Sequence, residues 1–129
     1  MEEAKVMSQK DILVVDDQPS VCKEVVSFLK NTYTVHAFTT GVEALEYMKE
    51  HPVDLVLLDY EMPNMTGFEV LMDIKVNKAT NKIPVVFLTG ETNDRMKQEM
   101  ISRGAKDYLC KPISSDELHA CIRKHLGNH

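Results

Sequence analysis

Two adjacent carboxylates, Asp16 and Asp17, close the apolar run Ile12-Leu13-Val14-Val15, and a single one, Asp59, closes the later run Val53-Asp54-Leu55-Val56-Leu57-Leu58. Short runs rich in Val, Ile and Leu, spaced by helical patterns, read as buried strands of a parallel sheet. In open sheets of that kind ligands bind beyond the carboxyl ends of the strands, where the strand order changes direction. Three carboxylates gathered there repel one another. A hard divalent cation that prefers oxygen ligands relieves that repulsion. The chemistry indicated is phosphoryl transfer assisted by magnesium. Thr89 and Lys111 also directly follow apolar runs, which adds a hydroxyl and an ammonium donor to the same rim.

The elements that must position these residues alternate strand and helix five times. Strands are expected at Asp11 to Val15, near Thr34 to Phe38, at Val53 to Leu58, at Ile83 to Leu88 and at Asp107 to Cys110. Pro19 suits the first turn of helix one, and Val21, Val25, Phe28 and Leu29 form its apolar face. Helix two carries Ala44, Leu45 and Met48 and stops at His51-Pro52, since a residue before proline avoids helical geometry. Thr66 and Glu69 have the spacing of a capping box, and Phe68, Leu71, Met72 and Val76 are expected on the inner face of helix three. Met96, Met100 and Ile101 line helix four, which Gly104 terminates. Ser114 with Glu117 starts helix five, whose inner face is Leu118, Ile122 and Leu126. Asp17 is expected to help cap helix one, where an anion is favoured. Such alternation predicts an α/β, flavodoxin-like doubly wound sheet in the order 2-1-3-4-5 with five helices on its two faces.

The bulk properties fit one domain. The chain has 129 residues, 43% hydrophobic and 27% charged, and a net charge of −5, which disfavours direct nucleic-acid binding. No apolar stretch approaches the roughly 18 to 20 residues that span a bilayer. The start, Met1-Glu2-Glu3-Ala4-Lys5, lacks the pattern of a signal peptide. A cytoplasmic location with no membrane association is therefore expected. Residues 1–9 read as a flexible polar segment and 10–129 as the domain. Cys22, Cys110 and Cys121 form no disulfide framework and read as small buried hydrophobes, although Lys111 beside Cys110 could lower that thiol's pKa. The histidines show no metal-ligand spacing, and His119 and His125 are expected on the last helix without a matching set of cysteines or carboxylates.

Taken together and in order, four motifs resemble the receiver domain of bacterial two-component response regulators. They are Asp16-Asp17, Asp59-Tyr60-Glu61-Met62-Pro63 with Gly67, Thr89-Gly90, and Lys111-Pro112. The resemblance covers about residues 10 to 127. Gly90 stands where the family often has alanine, and Cys110 where a small or β-branched residue is common. The resemblance implies that Asp59 accepts a phosphoryl group from a histidine kinase or histidine phosphotransfer protein. It implies that Asp16, Asp17, Asp59 and the backbone carbonyl of Glu61 hold Mg2+, and that Lys111 pairs with the phosphoryl oxygens, aimed by a cis peptide bond to Pro112. Thr89 and Tyr108 would form the switch that shifts the helix 4–strand 5–helix 5 face. Glu61 and Glu91 would tune water's access to the acyl phosphate.

On this reading the chain is a signalling switch that catalyses only its own phosphorylation and dephosphorylation, not a turnover enzyme. It controls an output domain or separate effector, with a phosphorylation-dependent dimer as one route. Whether it acts alone or as part of a longer protein stays open. Two other readings compete. A phosphate-independent interaction module of the same fold would not need the complete acidic set with Thr89 and Lys111. A small magnesium-dependent phosphohydrolase would need a second acid two positions after the nucleophile, a place that Glu61 fits only loosely.

Overall fold

A computed structural model describes residues 9–91 and 93–127. The expected flexible segment lies outside the described residues except for Gln9. The elements run β1 (Asp11–Val15), α1 (Pro19–Leu29), β2 (Thr34–Phe38), α2 (Gly41–Glu50), β3 (Leu55–Asp59), α3 (Gly67–Val76), β4 (Val85–Thr89), α4 (Asp94–Ser102), β5 (Asp107–Cys110) and α5 (Ser115–Leu126). The five strands form one sheet in the order β2-β1-β3-β4-β5, and every pair is parallel.

The apolar runs form central strands because both of their faces are covered. Along β1, Leu13 and Val15 join one cluster, with Val56, Leu58, Val85 and Phe87 from β3 and β4. Their neighbours Ile12 and Val14 join the other, with Leu55, Leu57, Val86 and Leu88. Residues from α2, α3 and α4 cover the first face and residues from α1 and α5 the second. Each of these central side chains is fully buried, worth roughly 1.5–3 kcal/mol apiece against exposure. The edge strands β2 and β5 are mostly half-buried, which is why their apolar signal is weaker in the sequence.

Two strand starts differ from expectation. β3 begins at Leu55, two residues after Val53, because Asp54 turns its carboxylate to accept the Asp11 N–H at 2.7 Å. β4 begins at Val85 because Pro84 has no N–H to donate. The Pro84 carbonyl nevertheless accepts the Val56 N–H at 3.0 Å.

The helix faces depart more. The buried face of α3 is Gly67, Val70, Leu71 and Ile74, an i, i+3, i+4, i+7 row. Met72 and Val76, expected to face inward, are 52% and 71% exposed. Two apolar rows share Leu71, and the one containing Gly67 wins because this helix start touches the β3 backbone. A Cβ at Gly67 would lie 2.7 Å from the Asp59 carbonyl oxygen. Phe68 is thereby turned sideways into edge-on contacts with Tyr60 and Phe87, with Arg103 above it. In α4 only Met100 is buried among the described residues, and Ile101 is exposed. Cys22 and Cys121 are buried as expected, whereas Cys110 is exposed, because it ends an edge strand.

Caps form where the sequence placed three of them. Thr66 and Glu69 make the reciprocal capping box, Ser114 accepts the Glu117 N–H, and Gly104 follows α4 with φ 116°, a conformation costly to any residue with a Cβ. Asp17 does not cap α1. Gln18 holds the cap position without a side-chain bond, and it is Asp16 Oδ1 that accepts the Gln18 N–H at 2.9 Å. The i→i+2 bond draws Asp16 inward and leaves Asp17 exposed on the rim.

Candidate functional site

The two strands that carry the acids are neighbours, with Val15 paired to Leu58, so the residues that follow them emerge side by side. Asp16, Asp17 and Asp59 each present a carboxylate oxygen within 4.8 Å of the others. Asp16 is fully buried and Asp59 is 3% exposed. Lys111, carried in by β5, reaches under them: its Nζ lies 2.8 Å from Asp16 Oδ2 and 3.3 Å from Asp59 Oδ1. The Lys111 N–H donates to the Thr89 carbonyl at 2.7 Å, and the Lys111–Pro112 peptide bond is cis. Cys22 pins the other side of the rim, its thiol donating weakly to the carbonyls of Asp16 and Phe38.

The charges do not balance. Three carboxylates face one ammonium. Burial is the largest influence on Asp59, and a hydrogen bond shared with Asp17 and the charge of Asp16 act the same way. Lys111 and the Glu61 N–H oppose them, and the Asp59 carboxyl is pushed up to about 7. Burial would lower the Lys111 pKa, but the Asp16 and Asp59 carboxylates outweigh it and raise it. Asp16 Oδ2 touches Lys111 as a charge contact yet has no well-directed hydrogen bond. The oxygens that Asp16, Asp17 and Asp59 bring within 4.8 Å of one another are all hard ligands. That donor set suits Mg2+, which takes one or two carboxylates and keeps several waters.

Thr89 and Tyr108 lie on β4 and β5, and Glu61 and Glu91 on the loops after β3 and β4. Thr89 ends β4, is 2% exposed, and its hydroxyl donates to the Glu91 carbonyl at 2.7 Å. The hydroxyl is thus engaged within its own loop. Tyr108 pairs with Phe87 across β4 and β5 and is half-buried against the first core cluster, with Lys97 Nζ 5.3 Å from its ring centroid. The Glu61 N–H donates to Asp59 Oδ1 at 3.3 Å; both Glu61 and Glu91 are exposed. A cleft of about 310 Å³ opens beside Asp17, between the β3–α3 loop at Met62–Met65 and the start of α2.

One grouping was not foreseen. His125 does have partners: its Nε2 lies 2.9 Å from Asp107 Oδ2, and Cys121 lies beside the same oxygen. The signal was present in the Cys121-to-His125 spacing of four, which puts both on one face of a helix. The third member comes from another element, so periodicity could not find it.

Comparison with known proteins agrees with this architecture. The model of the response regulator receiver domain matches residues 12–123. A Vibrio cholerae protein named "Probable cyclic di-GMP phosphodiesterase" is 43% identical over 95% of this chain and 28% of its own length. The regulatory protein VanRc of Enterococcus gallinarum is 36% identical over 95% of this chain and 52% of its own. The chain therefore spans about half the length of these curated relatives, or less. Among solved structures, the Vibrio cholerae chemotaxis protein CheY4 superposes with a TM-score of 0.88 at 31% identity, covering 92% of this chain and all of that one. No helix among the described residues is long and apolar enough to cross a membrane. The chain belongs to the receiver domains of two-component response regulators.

Proposed function

We propose that Asp59 is the phosphoacceptor of this receiver domain. The observation that carries the reading is the convergence of Asp16, Asp17 and Asp59 within 4.8 Å around a single lysine. An Asp59 carboxylate oxygen attacks the phosphorus of a phosphohistidine on a histidine kinase or phosphotransfer protein. The new P–O bond forms as the P–N bond breaks, and the imidazole leaves and takes a proton. Mg2+ held by Asp16, Asp17, Asp59 and the Glu61 carbonyl would offset repulsion between the phosphoryl group and the acidic rim. Lys111 supplies the cation that stays with the phosphoryl oxygens.

The response begins at Thr89. For its hydroxyl to bond a phosphoryl oxygen it must leave the Glu91 carbonyl, and the loop after β4 moves with it. That loop leads into α4, which has one buried side chain among the described residues and little to resist displacement. Tyr108 then turns toward the space vacated, and the face of α4, β5 and α5 takes a second arrangement. Glu61 and Glu91 flank the site and set how water reaches the acyl phosphate. The partner that reads this face is an output domain or effector, or a second copy of the chain. The relative named as a cyclic di-GMP phosphodiesterase makes such an output one to test first.

Intact-mass measurement after incubation with acetyl phosphate and Mg2+ tests the assignment. One phosphoryl group is expected, absent from Asp59→Asn and absent without Mg2+. An adduct that persists in Asp59→Asn would move the acceptor elsewhere, and sustained hydrolysis of a generic phosphate ester would turn the reading to a phosphohydrolase.

A further inference from the structure

A histidine, a thiol and a carboxylate from two elements meet at the end of the sheet opposite the acidic rim. Asp107 opens β5, while Cys121 and His125 lie one turn apart on α5. His125 Nε2 is 2.9 Å and Cys121 Sγ is 3.8 Å from Asp107 Oδ2. One ligand atom from each of the three lies within 4.8 Å of the others. Asp107 Oδ1 is occupied by the Tyr108 N–H at 2.9 Å, which orients the carboxylate and presents Oδ2 to the pair. We propose that Asp107, Cys121 and His125 form a binding site for a borderline-soft divalent cation, zinc above all, with water in the fourth position.

The donor set is what separates this site from the rim. Three carboxylates select a hard ion, whereas a thiolate and an imidazole select zinc over magnesium or calcium. The spacing also fits. Tetrahedral zinc with its usual bond lengths places a nitrogen and an oxygen ligand about 3.4 Å apart, and a sulfur and an oxygen about 3.6 Å. The Sγ to Oδ2 separation of 3.8 Å is already close to this, and the 2.9 Å between Nε2 and Oδ2 must open by about half an ångström.

A cation already stands at the edge of the cluster. Lys124 Nζ lies 3.6 Å from Asp107 Oδ2, and its side chain is 70% exposed, so it is free to swing into solvent as the ion enters. The side chains of Asp107 and His125 are 24% and 12% exposed, which leaves room for a bound water. Cys121 carries its proton in the metal-free protein, since burial and Asp107 push its pKa up to about 12; the metal displaces that proton as it binds. Two anionic ligands would then neutralise the ion. The bound metal would clamp the last turns of α5 to the residue next to Tyr108.

Cobalt reports on this directly, because a thiolate ligand produces a charge-transfer band and a tetrahedral site produces intense d–d bands. The reduced, metal-free chain is titrated with Co2+ and then with Zn2+. One equivalent of Co2+ is expected to produce both signals and Zn2+ to abolish them. Cys121→Ser should remove the charge-transfer band, His125→Ala should weaken Co2+ at least tenfold, and Asp59→Asn should change neither. Absence of the band in the native sequence, or its survival in Cys121→Ser, overturns the site. Should Cys121→Ser fail to fold by circular dichroism, unaltered Co2+ affinity in His125→Ala overturns it instead.

Discussion

Asp59 is buried and Asp107 half-buried, and they stand at opposite ends of parallel strands. Their surroundings push them in opposite directions. Asp59 ends β3 among other carboxylates, and its pKa is raised to about 7. Burial would raise that of Asp107 as well. The His125 ring, the Tyr108 N–H and Lys124 outweigh burial, and its pKa is lowered. Every donor that Asp107 needs is supplied within the chain, whereas Asp59 shares one lysine with Asp16. A folded protein keeps such an imbalance where a ligand from outside will relieve it. The contrast therefore separates a carboxylate whose charge is answered by donors of the chain itself from one that shares a single cation with like charges.

Breaking the frustrated side should have the largest effect. Asp59→Asn abolishes phosphoryl incorporation, yet in metal-free buffer at pH 8 it should stabilise the protein by roughly 1–3 kcal/mol, because it removes a buried charge facing like charges. Urea unfolding checks the second half, and a destabilised variant would show that Lys111 already satisfies the cluster. The gain should shrink on acidification, and the sign follows from proton binding. Below the ordinary carboxylate value of 3.8 Asp59 is neutral in folded and unfolded chains alike. Between there and about 7 only the folded chain keeps the proton, so stability falls as pH rises through that interval and is level above it.

Gly67→Ala comes next. Its Cβ would approach the Asp59 carbonyl oxygen and Phe87 Cε1 to 2.7 Å, where neither backbone nor a fully buried ring can yield. A loss of roughly 1–3 kcal/mol is expected, with weaker Mg2+ binding because the β3 end is displaced. Unaltered metal affinity in a destabilised variant would mean that the strain is absorbed by α3 alone.

With Asp59 in the proposed ligand set, Mg2+ has to expel the proton that this carboxyl holds below about 7. Its affinity should rise by about tenfold per pH unit below that value and level off above it. Isothermal titration between pH 5.5 and 8.5 measures this, and a flat profile would place the ion on Asp16 and Asp17 without Asp59.

The satisfied side should respond least and with the opposite pH dependence. Asp107→Asn loses the charge-assisted bond to His125 and the looser ion pair with Lys124, a cost of roughly 1–2 kcal/mol at pH 7. Because the folded pKa of Asp107 is lowered, its contribution is present above the ordinary carboxylate value and is lost as pH falls through the folded one. Denaturation of both proteins at pH 7 and pH 3 should show the difference closing in acid.

Much of this was legible in the chain. The apolar runs of β1, β3 and β4 and the caps at Thr66 and Ser114 are local patterns, and β1 and β3 place Asp16 and Asp59 at one rim by counting alone. The pairing of short buried runs with polar residues at their ends depends only on backbone periodicity, which one-dimensional text preserves. Thus Asp16, Asp17, Asp59, Thr89 and Lys111 could be named as one cluster before any coordinates. The inner face of α3 could not. Two apolar rows were available, and the choice rested on Gly67 meeting the end of β3, a contact between separate elements. The pairing of Asp107 with Cys121 and His125 likewise joins a strand and a helix whose relative rotation is set by packing across the whole face. Local order determined which groups stand at the ends of strands. Only the packed fold decided which of those groups face unanswered charge, because an electrostatic environment is the sum of neighbours distant in sequence.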